Sequence, residues 1–236
     1  MEPLRPPLSA VVGTRTNPLA DEAPTGDSLM MFDDRTDAGE RLASELERRG
    51  VEADVVLGIP RGALPVARPV ADALDADLDV VVASKIGAPG NPELAIGAVA
   101  SDGSVWLNEP LIEHLRVSEE HLERERRTEA EYAASKATRY RDEGKIADLE
   151  GKRVVVVDDG LATGATARAC LRQAREAGAE HVVLALPVAS PDSLEEVATE
   201  ADELVALETP PNFRAVGQFY REFGQVADEE AIAYLE

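Results

Sequence analysis

Cysteine is almost missing from this 236-residue chain. Cys170 stands alone, which excludes an internal disulfide framework and a multi-cysteine zinc site. It suits a reducing compartment, and a cytoplasmic location is the expectation. Lysine is scarce too: Lys85, Lys136, Lys145 and Lys152 are the only four. Only nine residues are aromatic, and five of them fall after Thr209, so whatever aromatic surface the chain has is concentrated at its C-terminal end. No apolar run approaches the roughly 20 residues that cross a bilayer. The opening Met1-Glu2-Pro3-Leu4-Arg5-Pro6-Pro7 lacks the basic-then-apolar order of a secretory signal.

Acid is what the chain has in excess. Asp and Glu total 46 against 24 Lys and Arg, a formal net charge of −22. A field of that sign repels nucleic acid and anionic membranes, so neither is expected as a partner. An acidic composition with arginine favoured over lysine resembles the proteins of salt-accumulating halophiles; an ordinary acidic cytosolic protein is the alternative. With 44% hydrophobic residues the body can fold, burying roughly 70% of its unfolded surface without metal or disulfide.

Residues 1–28 carry five prolines and little apolar periodicity, and read as a flexible arm. Beyond it α-type and β-type segments alternate. Thr36 to Arg49 has Ala38, Leu42 and Leu46 at helical spacing, with Gly50 as its stop. Asp54 to Gly58 is a strand, Ala63 to Leu74 a helix in which Pro69 invites a kink, and Leu78 to Ala83 a second strand. Gly87 to Pro92 reads as a loop, and Leu94–Ala100 with Ser104–Leu107 as a hairpin. Ser118 caps a charged helix to about Asp142. Arg153 to Asp158 is the strongest strand signal. After it come a helix over Ala165–Ala177, a strand over His181–Leu186, a helix over Pro191–Thr199 and a strand over Glu203–Leu207. Continuously apolar strands alternating with helices predict an α/β fold: a central parallel β-sheet flanked by helices.

Ligands of such sheets bind beyond the carboxyl ends of the strands. One of those ends reads Val154-Val155-Val156-Val157-Asp158-Asp159-Gly160-Leu161-Ala162-Thr163-Gly164-Ala165-Thr166. A buried strand delivers two carboxylates to its rim, a short loop follows, and a helix starts at once. Backbone N–H groups and the hydroxyls of Thr163 and Thr166 then converge at a helix N-terminus, which makes a phosphate cradle. Acids beside a phosphate site make sense when the ligand also carries hydroxyls. In a sugar phosphate, Asp158 and Asp159 accept hydrogen bonds from ribose hydroxyls while the loop holds the 5′-phosphate. The segment lacks Gly-Lys-Ser/Thr and Gly-x-Gly-x-x-Gly, so it is neither a nucleoside-triphosphate loop nor a dinucleotide turn. His114, His121 and His181 have no metal-ligand spacing.

This segment resembles the ribose-phosphate motif of type I phosphoribosyltransferases, which use 5-phosphoribosyl 1-diphosphate (PRPP). Gly58-Ile59-Pro60-Arg61-Gly62-Ala63 stands where that family places its pyrophosphate loop. The run Lys85 to Ala95 and the terminal Val216-Gly217-Gln218-Phe219-Tyr220 resemble an uncharacterised bacterial and archaeal branch. That branch commonly has Arg before the lysine and Arg-Gly-Gly in the loop; Ser84 and Ala63 stand here instead.

The resemblance implies a core over 29–207, a C-terminal hood over 208–236, and PRPP-dependent glycosyl transfer to a nitrogenous acceptor with release of pyrophosphate. It implies that Asp158, Asp159, Arg61 and Lys85 form the catalytic group. Gly160, Ala162, Thr163, Gly164, Ala165 and Thr166 would hold the 5′-phosphate and ribose. Arg61, Gly62 and Lys85 would hold pyrophosphate from loops at one sheet edge, with the Lys85–Asn91 loop as a cover. Gly62 is expected to permit an unusual peptide geometry there. Phe213, Phe219 or Tyr220 would line the base site. Mg²⁺ would arrive on PRPP with no direct protein ligand, and a homodimer is the family analogy. Two other readings share the same binding chemistry: a non-catalytic sensor of PRPP or nucleotide, and a hydrolase or phosphorylase acting on a ribosyl phosphate.

Overall fold

The computed structural model describes residues 31–141 and 146–236, so the arm expected over 1–28 lies outside the described residues. The first helix, α1 (Arg35–Arg49), opens on Asp34, whose carboxylate accepts the N–H of Asp37 at 2.9 Å, and closes on Gly50. Strand β1 (Val55–Gly58), helix α2 (Leu64–Leu74) and strand β2 (Asp77–Val80) follow. Helix α2 runs through Pro69 without a break. The proline lacks the N–H that would have bonded the carbonyl of Pro65 in the first turn.

The run from Leu78 to Ala83 is not one strand. β2 stops at Val80, the chain crosses over at Val81 and Val82, and β3 (Ala83–Ala88) starts a second sheet with β4 (Asn91–Ala100) and β5 (Val105–Leu107). Two short antiparallel turns suffice to build this three-stranded sheet. The expected loop from Gly87 to Pro92 shrinks to a tip at Pro89–Gly90 between β3 and β4. Helix α3 (Glu109–Leu115), capped by Asn108, precedes α4 (Glu119–Ala137), capped by Ser118. α4 ends before the expected Asp142.

Then come β6 (Arg153–Val157), α5 (Ala165–Glu176), β7 (His181–Val188), α6 (Pro191–Val197), β8 (Glu203–Glu208), a 3-10 turn over Val216–Phe219 and α7 (Asp228–Ala233). The main sheet has the order β2-β1-β6-β7-β8, and every neighbouring pair is parallel. Its central strand shows why a run of four valines forms it. Val154 and Val156 join one apolar cluster with α5 and the second sheet, while Val155 and Val157 join another with α1 and α2. Period-2 alternation places both sets in a core, so the strand is apolar throughout. Each fully buried Val or Leu there contributes roughly 1.5–3 kcal/mol. Gly58 of β1 and Val157 of β6 are in register, so the turns after them leave the sheet side by side. No helix among the described residues is long and apolar enough to cross a membrane.

Candidate active site

Asp158 and Asp159 follow the last residue of β6 at the carboxyl rim of the sheet. The Asp158 carboxylate accepts the N–H of Asp159 at 2.9 Å. Asp159 accepts from Nε of Arg35 at 2.9 Å, and its carbonyl accepts the hydroxyl of Tyr220 at 2.6 Å. Burial pushes the Asp158 carboxyl well above the usual range, and the neighbouring Asp159 charge pushes the same way. Burial raises Asp159 too, with Arg35 opposing it. The site therefore holds acids whose ionisation the protein alone compensates poorly.

The loop after the acids is pinned from behind. Leu161 donates to the Val188 carbonyl at 2.9 Å, Ser190 donates back to Leu161 at 2.9 Å, and the Ser193 hydroxyl bonds the Ala162 carbonyl. Ala162 and Thr163 face solvent and Thr166 is half-buried. Gly164 enters α5 with φ of 74°, a left-handed turn suited to glycine, and supplies no side-chain cap. The first N–H groups of α5 have no partner within the helix and are available to an anion. So the residues expected at the phosphate cradle, from Gly160 to Thr166, do form one strand–loop–helix turn.

The second turn, from Ile59 to Ala63, leaves β1 beside it. Gly62 lies directly against the acid pair: a Cβ there would stand 2.3 Å from Oδ2 of Asp159. The unusual peptide geometry expected at Gly62 falls one bond earlier, since the Pro60–Arg61 peptide is cis. Arg61 extends from this turn to Asp228 at 3.4 Å, a carboxylate that also accepts Arg139 at 3.2 Å and the hydroxyl of Tyr140 at 3.1 Å. The Pro60 carbonyl accepts Nζ of Lys136 at 2.8 Å, and burial lowers the pKa of that lysine.

Three expectations need correction. Lys85 is not in a loop after a strand of the main sheet. It lies within β3 of the second sheet, because the chain has already crossed over at Val81–Val82, and its ammonium bonds Glu93 at 2.7 Å. The Lys85–Asn91 stretch is accordingly the arm of a hairpin. Among the aromatic candidates Phe219 has no exposed surface, packed with Phe32, Phe213 and Tyr220, and offers no face to a base. Tyr220 is spent on the Asp159 carbonyl, and burial raises its pKa. Phe213 remains half-buried on Phe219, with ring centroids 5.4 Å apart.

The exposed ring beside the acids is Phe223, with the Arg35 guanidinium 3.8 Å above it. Sequence reasoning passed over Arg35, Phe223, Lys136 and Asp228. Each lies far along the chain from the motif it joins, so the only signal available was a charged or aromatic residue among many.

The family description "Phosphoribosyl transferase domain" matches residues 31–223. The chain belongs to this family. Two curated Mycobacterium tuberculosis proteins, from strains CDC 1551 and H37Rv, are each 46% identical over 208 residues; their names carry phosphoribosyl transferase as a provisional assignment. The alignment covers 88% of this chain and 47% of theirs, so the chain spans about half the length of the curated relatives it matches. A crystal structure of TT1426 from Thermus thermophilus is 44% identical with a TM-score of 0.73, covering 87% of this chain and 98% of that one. In this phosphoribosyl transferase fold the turns after β1 and β6 are the two that meet at Gly62 and Asp159.

Proposed function

We propose that the protein transfers the 5-phosphoribosyl group of PRPP to a nitrogenous acceptor, a nucleobase or similar ring, with release of pyrophosphate. The observation that supports this reading is the close approach of Gly62 to Asp159, which sets the turn after β1 against the turn after β6. A ligand carrying a 5-phosphate and a 1-diphosphate on one pentose spans such a pair.

In this reading the amides from Gly160 to Thr166 and the hydroxyls of Thr163 and Thr166 hold the 5′-phosphate. Asp158 and Asp159 accept the ribose hydroxyls. As the C1–pyrophosphate bond breaks, positive charge develops on the sugar, and the two carboxylates stabilise it. Gly62 and Arg61 carry the departing pyrophosphate, for which Arg61 exchanges Asp228. The acceptor nitrogen attacks C1 from the opposite side. Phe223, packed on Tyr220 with ring centroids 5.0 Å apart, offers the aromatic surface.

The donor set fits Mg²⁺ in one way only. The site supplies hard carboxylate oxygens, but Asp159 already carries Arg35, and among the described residues no three His, Cys, Asp or Glu side chains converge. A Mg²⁺ ion arriving on the pyrophosphate would supply neutralising charge there, with Asp158 the nearby carboxylate that no described cation occupies.

The deciding experiment incubates the protein with PRPP, Mg²⁺ and a panel of bases, and measures pyrophosphate release. Release with at least one base, lost in the Asp158→Asn/Asp159→Asn double variant, is the expected result. The Arg35–Asp159 pair favours a second reading, in which a pre-satisfied acid binds ligand without turnover. PRPP binding by calorimetry with no pyrophosphate released from any base would establish that instead, and no binding at all would remove both.

A further inference from the structure

Lys136 lies in the last turn of α4, where a basic residue ordinarily complements the helix dipole. Its geometry exceeds that role. Nζ leaves its own helix and donates to the Pro60 carbonyl, 76 residues earlier, at the base of the turn that carries Arg61 and Gly62. The side chain is half-buried, yet among the described residues the ammonium makes no ion pair. An ammonium left half-buried without a charge partner is costly, and an anionic ligand held at the Arg61–Gly62 turn would supply one.

We propose that Lys136 is a direct binding residue for the pyrophosphate group, contributed by α4 from behind the Pro60–Arg61 turn. This deepens the functional reading above and rests on it. The bond to Pro60 orients the ammonium, and its two remaining N–H groups serve the anion. Together with Arg61 it gives a strongly acidic chain two cations at one turn, where the negative charge of pyrophosphate has to be met.

The test is calorimetric titration of the full chain with two probes, inorganic pyrophosphate with Mg²⁺ and ribose 5-phosphate. Lys136→Met should weaken pyrophosphate binding by about tenfold or more and ribose 5-phosphate by less than about threefold. Lys136→Gln keeps a donor for the Pro60 carbonyl and loses the charge, so it should lose pyrophosphate to a similar degree. Lys136→Arg should recover most of it. Lys152→Met, at the opposite end of β6 from Asp158, controls for loss of one positive charge and should match the wild type.

Wild-type pyrophosphate affinity in the Gln variant overturns the proposal. So does equal loss of both probes in the Met and Gln variants, and so does an equal loss in Lys152→Met. If the unaltered protein binds neither probe, the functional reading falls and this inference with it. If it binds both and the Lys136 variants are unchanged, only this inference falls.

Discussion

Asp158 costs the fold something, a cost that the proposed ribose contact would offset. Its carboxyl is raised in the folded state by burial and by Asp159, so folding favours the protonated form and opposes the ionised one. The penalty is fully present above the raised folded pKa. It shrinks as pH falls and vanishes below the unfolded value of about 3.9. Asp158→Asn removes it. We expect this variant to melt a few degrees higher than the wild type at pH 8. The two melting curves should converge toward pH 4, and equal melting temperatures at pH 8 would contradict the assignment. The same substitution should abolish ribose 5-phosphate binding, which is the stability–activity opposition expected of a ligand site.

Gly62 works by being absent. A methyl group there meets Oδ2 of Asp159 at 2.3 Å and Nη2 of Arg35 at 3.4 Å, so Gly62→Ala must dislodge the carboxylate or the turn. Ribose 5-phosphate affinity should fall about tenfold to a hundredfold in that variant, a cost typical of a small misplacement in a site, with a much smaller change in melting temperature.

Among the elements, those with long uninterrupted patterns were legible and those built by tertiary choice were not. Four valines flanked by charge could only be a strand buried on both faces, and Ser118 and Gly50 marked helix ends by local hydrogen-bond chemistry. The acid–glycine–threonine turn was legible because its working groups are consecutive in the chain. Helices α3 and α7, of seven and six residues, show barely two turns of periodicity, and neither lies between two strongly patterned strands as the equally short α6 does between β7 and β8. The division of Leu78–Ala83 between two sheets follows from pairing: Val80 aligns with Gly58 of β1, while Ala83 aligns with Ala100 of β4. No local preference distinguishes those partners.

Helix α7 depends on such a long-range choice. Asp228, at its first position, gathers Arg61, Arg139 and Tyr140 on one carboxylate, whose pKa is lowered by the Tyr140 hydroxyl and then by the arginines. Asp228→Asn should leave strand amides unaffected and speed hydrogen exchange across α7 several-fold. Unchanged exchange there would show that the apolar contacts of Val226 and Ala231 hold the helix unaided.

At the scale of the whole molecule, charge sets the behaviour. Many arginines are paired with neighbouring acids, as Arg48 and Arg49 are with Glu45. Exposed pairs of this kind contribute about 0–1 kcal/mol each. The surplus of 46 acids over 24 bases must still be held on one compact surface, where it repels itself. Salt weakens both effects, but the surplus acts over longer distances than the pairs and is screened first. The Debye length falls from about 10 Å at 0.1 M to about 3 Å at 1 M. The melting temperature at pH 7.5 should therefore rise by several degrees between low salt and molar salt, similarly in KCl and NaCl. Near the sequence pI of about 4.5 the surplus is titrated away, so the same salt series should give a nearly flat response. A melting temperature that falls with salt at pH 7.5 would mean that local ion pairs outweigh the net field. An equal rise at both pH values would point to salting-out of apolar surface rather than to screening.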